Sequence, residues 1–574
     1  MATARSIPLP LAAPRGAGLA SRAWQLIGQA GPLVVGLILA GPLAMLVINS
    51  FNVAAAGQPA RFGLDNWAAA VADPSAVGAL VNSLELSLTR TAISLPVALG
   101  LSWLITRTDM PGRSIVELFC WLSIFIPILP LTFGWVLLLD PRFGLVNAAL
   151  GASLFNIYSF WGITWVHLAS NSIAFKVILM VPAFRRIGAD IEEAARMSGA
   201  DPWQTLRRIT LPLLTPAILL VTVVSLVLSF ESFEVELLLG KPVRFFVYTT
   251  RIYDLVNNQP SQVGEATALS FVFVVWLVAL TAGYRRLIGG RSFTTVTGKG
   301  YAIRPVALKG WRWVAAVGCF LYFGVALLAP FSFLLLGSFM RLYGFFNVPN
   351  PYTLAHWQAL FAEPAFFSGV RNSLIIAGSA AAVAIAIYSL IAYVLVRYRT
   401  LPARLTDALV WAPYATPGVL MSLGVLWLLL STPLRTALYG TVAGIALAFV
   451  LRAAPISTQF FRTQLLQIGA ELEESARMSG ASWLHTYWKV LMPLLAPAAV
   501  TVGLLTFLAA VYDISTPVLL YSAGSRPLSI LMLEYSFASL RERGAAIGVL
   551  ITTFVLLVLI VARSFGYRLS RDRL

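Results

Sequence analysis

Of the 574 residues, 59% are hydrophobic and 11% charged, against about 25% charged in an ordinary soluble chain. That balance excludes a soluble enzyme, a disordered chain and a fibre, and points to a polytopic membrane protein. Cys120 and Cys319 are too few for a disulfide framework, a zinc cluster or an iron–sulfur site, and His167, His356 and His485 stand too far apart for a local metal motif, so neither a cofactor nor a metal site is expected.

A helix needs roughly 20 apolar residues to cross a bilayer. In chain order, spans are expected near 31–51, 78–105, 115–139, 158–182, 211–236 and 266–288, then near 313–339, 370–396, 405–430, 440–462, 493–520 and 545–562. The small-residue run Ala54-Ala55-Ala56 after the first stretch imitates a signal cleavage site, but the long n-region and long apolar run favour an uncleaved span. Twelve spans put both termini on one side.

Most of the 41 Lys and Arg residues fall on that same side, in the N-terminal tail (Arg5, Arg15, Arg22), the linker 285–312, the even-numbered loops and the C-terminus (Arg563, Arg568, Arg571, Arg573). By the positive-inside rule that face is cytoplasmic. Topology therefore accounts for the net charge of +17, and lipid rather than nucleic acid is the expected surroundings.

The chain is a duplication. Trp67 and Asn82-Ser83-Leu84 recur as Trp357 and Asn372-Ser373-Leu374. Glu193-Ala194-Ala195-Arg196-Met197-Ser198-Gly199-Ala200 recurs as Glu474-Ser475-Ala476-Arg477-Met478-Ser479-Gly480-Ala481, followed in each half by a proline, Pro212 and Pro493. An even number of spans per half inserts both halves in the same orientation. The expected organisation is a tail 1–30, a first half 31–288 with its repeated loop at 184–212, a linker 289–312, a second half 313–563 with its loop at 465–493, and a tail 564–574.

Each repeated loop joins the fourth and fifth spans of its half. Glu-Ala-Ala-Arg-Met is a run of good helix formers, and the small side chains of Ala194, Ala195, Ser475 and Ala476 let a partner surface approach closely. Gly199 and Gly480 suit the positive φ that ends one short helix and redirects the chain. Asp201 or Ser482 would cap a second helix, with Pro202 at its first position. The product is a helical hairpin protruding from the membrane twice per chain.

The full pattern is Glu193-Ala194-Ala195, three residues, Gly199, nine residues, Ile209-Thr210-Leu211-Pro212; the second copy substitutes Ser475, Val490 and Met492. It resembles the EAA signature of the transmembrane permease subunits of binding-protein-dependent ABC importers, and the resemblance covers the whole chain. It implies an all-α polytopic membrane protein of about 12 transmembrane helices, two homologous six-helix halves in parallel orientation: the type I ABC importer permease fold, in a bacterial inner membrane. Glu193, Ala194, Ala195, Gly199, Glu474, Ser475, Ala476 and Gly480 would then dock two copies of a cytoplasmic ABC ATPase subunit. No P-loop is present; Thr297-Gly298-Lys299-Gly300 lacks the upstream Gly and the Ser/Thr. ATP hydrolysis would come from that separate subunit, and substrate from a periplasmic solute-binding protein. Fusion of both halves resembles the ferric iron permeases; thiamine and aminoethylphosphonate importers look similar. A gradient-driven secondary transporter would have no use for the two hairpins.

Intramembrane charges mark candidate pathways. Glu231, Glu234 and Glu236 close the fifth span, and Asp513 stands in the equivalent region of the second half. Glu231 and Glu234 share a helical face, whereas Glu236 lies partly around it. Such a cluster would favour a cationic or metal-bearing substrate; alternatively the carboxylates are solvated at the interface or paired with Lys241, Arg244 or Arg526. Glu85 and Arg90, five residues apart, are not on one face, so their mutual pairing is not favoured. Lys176 and Arg452 have no partner legible in the sequence.

Overall fold

A computed structural model describes residues 19–54, 58–187, 189–259, 261–288, 305–398 and 400–571. The basic linker 289–312 falls largely outside them, as do most of the N-terminal tail and the last three residues. Among the described residues the regular elements are helices, with three isolated β-bridges and no strand.

Each of the twelve expected segments is helical over most of its length. Among the described residues, eight helices are long and apolar enough to cross a membrane, or ten if each of two bent pairs is one span. The shorter apolar helices Val263–Trp276 and Gly418–Leu430 lie in the other two expected spans.

The third span of each half is not the continuous rod expected. In the first half Arg113–Phe125 and Ile128–Leu139 meet at 101°. In the second, Leu401–Val410 is separated from Gly418–Leu430 by a 3-10 turn at Ala412–Ala415. Both breaks carry a proline at the same repeat position. Pro127 and Pro417 stand at the offset that relates Trp67 to Trp357, and each forces the residue before it, Ile126 (ψ 125°) or Thr416 (ψ 116°), into extended backbone.

The chain forms two compact units, and neither coincides with a homologous half. One comprises residues 50–367 and 528–574. Here Pro74–Arg107 packs against Ile173–Arg186 and Leu211–Phe230. The helix Ala329–Ser338, the last part of the second half's opening span, lies against Ile128–Leu139 of the first half and against Arg541–Arg571. That approach needs Gly134, where a Cβ would fall 1.8 Å from the Pro330 carbonyl oxygen.

The other unit comprises residues 1–49 and 368–527. Val442–Leu465 packs here against Ala496–Tyr512. The helix Leu19–Ser50, which opens the first half, lies against the third span of the second. A Cβ on Gly424 would stand 2.7 Å from the Pro42 carbonyl oxygen, and Gly36 faces Leu409. Gly134 and Gly424 occupy equivalent repeat positions, so one device seats the opening helix of each half against the body of the other. A carbonyl oxygen can come this close to a neighbouring helix only where that helix lacks a side chain.

Candidate functional site

The two repeated loops fold as hairpins, each within its own unit. The first consists of Ala189–Met197, a turn at Gly199 (φ +86°) and Pro202–Thr205. The second consists of Glu471–Met478, a turn at Gly480 (φ +84°) and Trp483–Thr486. Each first helix ends in a Schellman-type bond, Ala200 N to Ala195 O and Ala481 N to Ala476 O, both 3.0 Å. Each second helix is side-chain capped: Asp201 accepts from Gln204 N at 2.7 Å, and Ser482 accepts from His485 N at 3.3 Å. These are the capping residues expected from the sequence.

Glu193, Ala194, Glu474 and Ser475 are exposed, while Ala195 and Ala476 are half-buried. Met197 and Met478 stand 91% and 90% exposed at the hairpin tips, accompanied by exposed Trp203 and Leu484. The same apolar residue is thus almost wholly uncovered at the same place in both copies.

The acidic residue just before each signature behaves in the opposite way. Glu192 and Glu473 are buried. Glu192 Oε1 lies 3.3 Å from Arg107 Nε and accepts from Thr210 Oγ1 at 2.9 Å. Glu473 accepts from Arg397 Nε at 2.8 Å and from Tyr393 Oη at 2.9 Å. Each arginine is the last residue of a 34-residue helix, Pro74–Arg107 or Pro364–Arg397. Each also donates to carbonyls at the end of the fourth span: Arg107 to Phe184 and Ile187, both 2.9 Å, and Arg397 to Ile468 at 3.1 Å. Reading the sequence by motif misses these four residues, although a signal is available. The arginines stand at one repeat offset and the glutamates at the other.

At the far end of the spans the candidate carboxylates separate into two groups. Glu236 is completely buried. Its Oε1 accepts from His167 Nε2 at 2.7 Å and from Ser232 Oγ at 2.6 Å, and lies 3.8 Å from Arg90 Nη1. Asp513, also buried, accepts from Arg452 Nη1 at 2.7 Å, from Ser515 Oγ at 2.7 Å and from Thr516 Oγ1. Lys241, one of the partners considered from the sequence for these acids, is engaged elsewhere, 3.5 Å from Asp254. Glu231 and Glu234 are half-buried.

Arg90 thus engages Glu236 rather than Glu85, and Arg452 finds its partner in Asp513. Lys176 donates to the carbonyl and the hydroxyl of Ser172, both 3.2 Å. Asp513 stands at the repeat position of Ser232, so both halves place a buried ionic cluster where the fifth span ends. Desolvating these charges is costly, and close opposite charge and hydroxyl donors reduce that cost.

Beyond that end of Pro74–Arg107, Arg251 bridges Asp73 at 2.8 Å and Asp254 at 3.4 Å. Among the described residues no three His, Cys, Asp or Glu side chains gather as a metal site.

The pattern of two signature hairpins is matched along the chain. Residues 93–291 and 382–574 match the family described as "Binding-protein-dependent transport system inner membrane component". The chain belongs to this family. It is therefore an ABC importer permease, a multi-pass transport subunit of the inner membrane. A Sinorhizobium fredii relative, named as a probable ABC transporter permease y4fN, is 26% identical over 75% of this chain and 76% of its own. The ferric transport system permease protein FbpB of Actinobacillus pleuropneumoniae is 28% identical over 66% of this permease, which spans only 54% of that protein. The sulfate transport system permease protein CysT of Escherichia coli is 25% identical over 42% of this permease and 84% of its own length.

Proposed function

We propose that this permease forms both membrane halves of an ATP-driven importer whose two hairpins dock two copies of a cytoplasmic ABC ATPase subunit. The observation that carries the reading is the duplicated hairpin with an almost fully exposed methionine at each tip. The Lys and Arg asymmetry supports cytoplasmic hairpins and termini. The opposite ends of the spans would then meet a periplasmic binding protein. Glu193, Ala194, Ala195, Gly199 and their counterparts Glu474, Ser475, Ala476 and Gly480 would shape the docking surface. Co-purification of the chain with a P-loop ATPase, and disulfide cross-linking of that ATPase to Met197→Cys and Met478→Cys, tests it. A complex that assembles without either cross-link refutes docking through the hairpins.

We further propose ferric iron as the cargo. The similarity to FbpB and the fusion of both halves in one chain support it. The candidate pathway is Glu231, Glu234, Glu236 and Asp513, of which Glu236 and Asp513 are buried among opposite charge and hydroxyl donors. Glu231→Gln or Glu234→Gln should lower uptake while leaving the complex assembled. The deciding experiment is to identify what the partner binding protein retains on purification. A simple inorganic anion there would remove the iron reading and leave the importer assignment intact.

A further inference from the structure

We infer that Arg107–Glu192 and Arg397–Glu473 are the links through which each hairpin moves its long helix, so that a push on the hairpin is delivered to the span. The inference rests on the reading that the hairpins dock an ATPase. It assigns the four residues to transmission, not to docking.

Three observations carry it. First, the hairpin surface and the hairpin root are chemically distinct. The signature glutamates Glu193 and Glu474 face outward, whereas Glu192 and Glu473 turn into the protein. Second, each arginine ties three pieces together at one point. Arg107 ends Pro74–Arg107, donates to the last carbonyls of the fourth span at Phe184 and Ile187, and neutralises Glu192, which also accepts from Thr210 at the start of the fifth span. Arg397 repeats this with Ile468 and Glu473, with Tyr393 in place of the threonine. Third, the arrangement occurs twice at matched repeat positions, although the secondary hydrogen-bond donor differs.

The physics favours a rigid joint. A guanidinium with more than one acceptor in fixed directions, buried at Arg107 and half-buried at Arg397, resists sliding, and separating such a pair from its buried glutamate leaves that charge uncompensated. Each long helix runs unbroken from the hairpin root to the far end, Pro96 in the first included. At 1.5 Å rise per residue, Leu84 lies about 34 Å along the helix from Arg107. A hairpin held only by apolar contacts would slip under the same load.

The test uses the full complex with its ATPase in lipid vesicles and ATP with vanadate as the probe, so it does not depend on knowing the cargo. A nitroxide is placed at Leu84→Cys, and in a second sample at Leu374→Cys. Both positions are exposed on the long helices, and the native Cys120 and Cys319 are buried. Met197→Cys and Met478→Cys report docking by cross-linking.

The nucleotide-dependent spectral change at Leu84 should fall by at least about fivefold in Glu192→Gln, the low end of a typical coupling between sites, while the Met197 cross-link persists. Glu473→Gln should do the same at Leu374. Arg107→Gln combined with Glu192→Gln should lose no more than either alone, as members of one joint do. A full spectral change in Glu192→Gln and Glu473→Gln with cross-links intact overturns the inference. So does loss of the ATPase from these variants, or absence of any change at Leu84 and Leu374 in the unmodified joint. Absence of the cross-link in the otherwise native complex instead overturns the docking reading beneath it.

Discussion

His167 Nε2 lies 2.7 Å from Glu236 Oε1, with both side chains shut away from solvent and Arg90 Nη1 3.8 Å from the same oxygen. One acid thus holds two cationic or proton-donating groups inside the helix bundle. Removing it leaves them uncompensated, at a cost of about 3–5 kcal/mol. Glu236→Ala should shorten the half-life of the detergent-solubilised protein at elevated temperature severely, whereas the exposed Glu85→Ala should change it little. Equal half-lives for the two variants would mean the cluster carries no stability.

The hairpin turns are limited by backbone conformation alone. Nothing lies within 4 Å of a Cβ built on Gly199 or Gly480, yet both hold φ near the left-handed region. Gly199→Val and Gly480→Val should each cost on the order of 1 kcal/mol or more locally. Transport should drop while membrane insertion stays normal. Native uptake with substrate-stimulated ATP hydrolysis in both variants would count decisively against a coupling role.

The seat of the exchanged helix is limited by space instead. Gly134→Ala sets a methyl group against the Pro330 carbonyl, and overpacking of this kind costs roughly 1–3 kcal/mol or more. Gly318→Ala, in a helix where nothing lies within 4 Å of the new carbon, serves as the comparison. Thermal inactivation should separate the two, and a Gly134→Ala protein as durable as Gly318→Ala would show that the backbone yields there.

Sidedness follows from the charge asymmetry. Ser198→Cys and Ser479→Cys, both exposed, should react with an impermeant thiol reagent only from the cytoplasmic side. Labelling of either in intact cells from outside would invert the proposed topology.

Acid sensitivity is expected at Asp73, outside the spans. Partial burial raises its pKa, but hydrogen bonds from Ser75 and Arg251 and the arginine's charge outweigh this and hold it below its ordinary 3.8. A carboxylate depressed in the folded state contributes stability above its unfolded pKa and loses it as pH falls through the folded value. The Arg251 link should therefore persist at neutral pH and fail below the ordinary carboxylate range. Asp73→Asn should flatten the dependence of unfolding on pH in that acid window and leave neutral pH as its region of greatest loss. An unchanged acid profile would show that the bridge carries no linkage.

The hairpins are legible in the sequence because everything that makes them is local. Helix formers, a glycine at the turn and a capping Asp201 or Ser482 act over a few residues, and the duplication supplies a second copy to compare. The spans are legible for a related reason, since a bilayer imposes one length and one polarity on each. The bends at Pro127 and Pro417 are harder to read, because apolar composition runs unbroken through them while the backbone does not.

The ionic partners belong to the other class. Arg90 and Glu236, Arg452 and Asp513, Arg107 and Glu192 are brought together by packing of helices distant in the chain, and no periodicity connects them. The exchange of opening helices is of the same kind. Gly134 and Gly424 read as ordinary small residues in apolar runs until Pro330 and Pro42 are seen against them. Burial makes these choices, because a charge or a carbonyl in a dry interior must accept whatever partner the fold brings within reach.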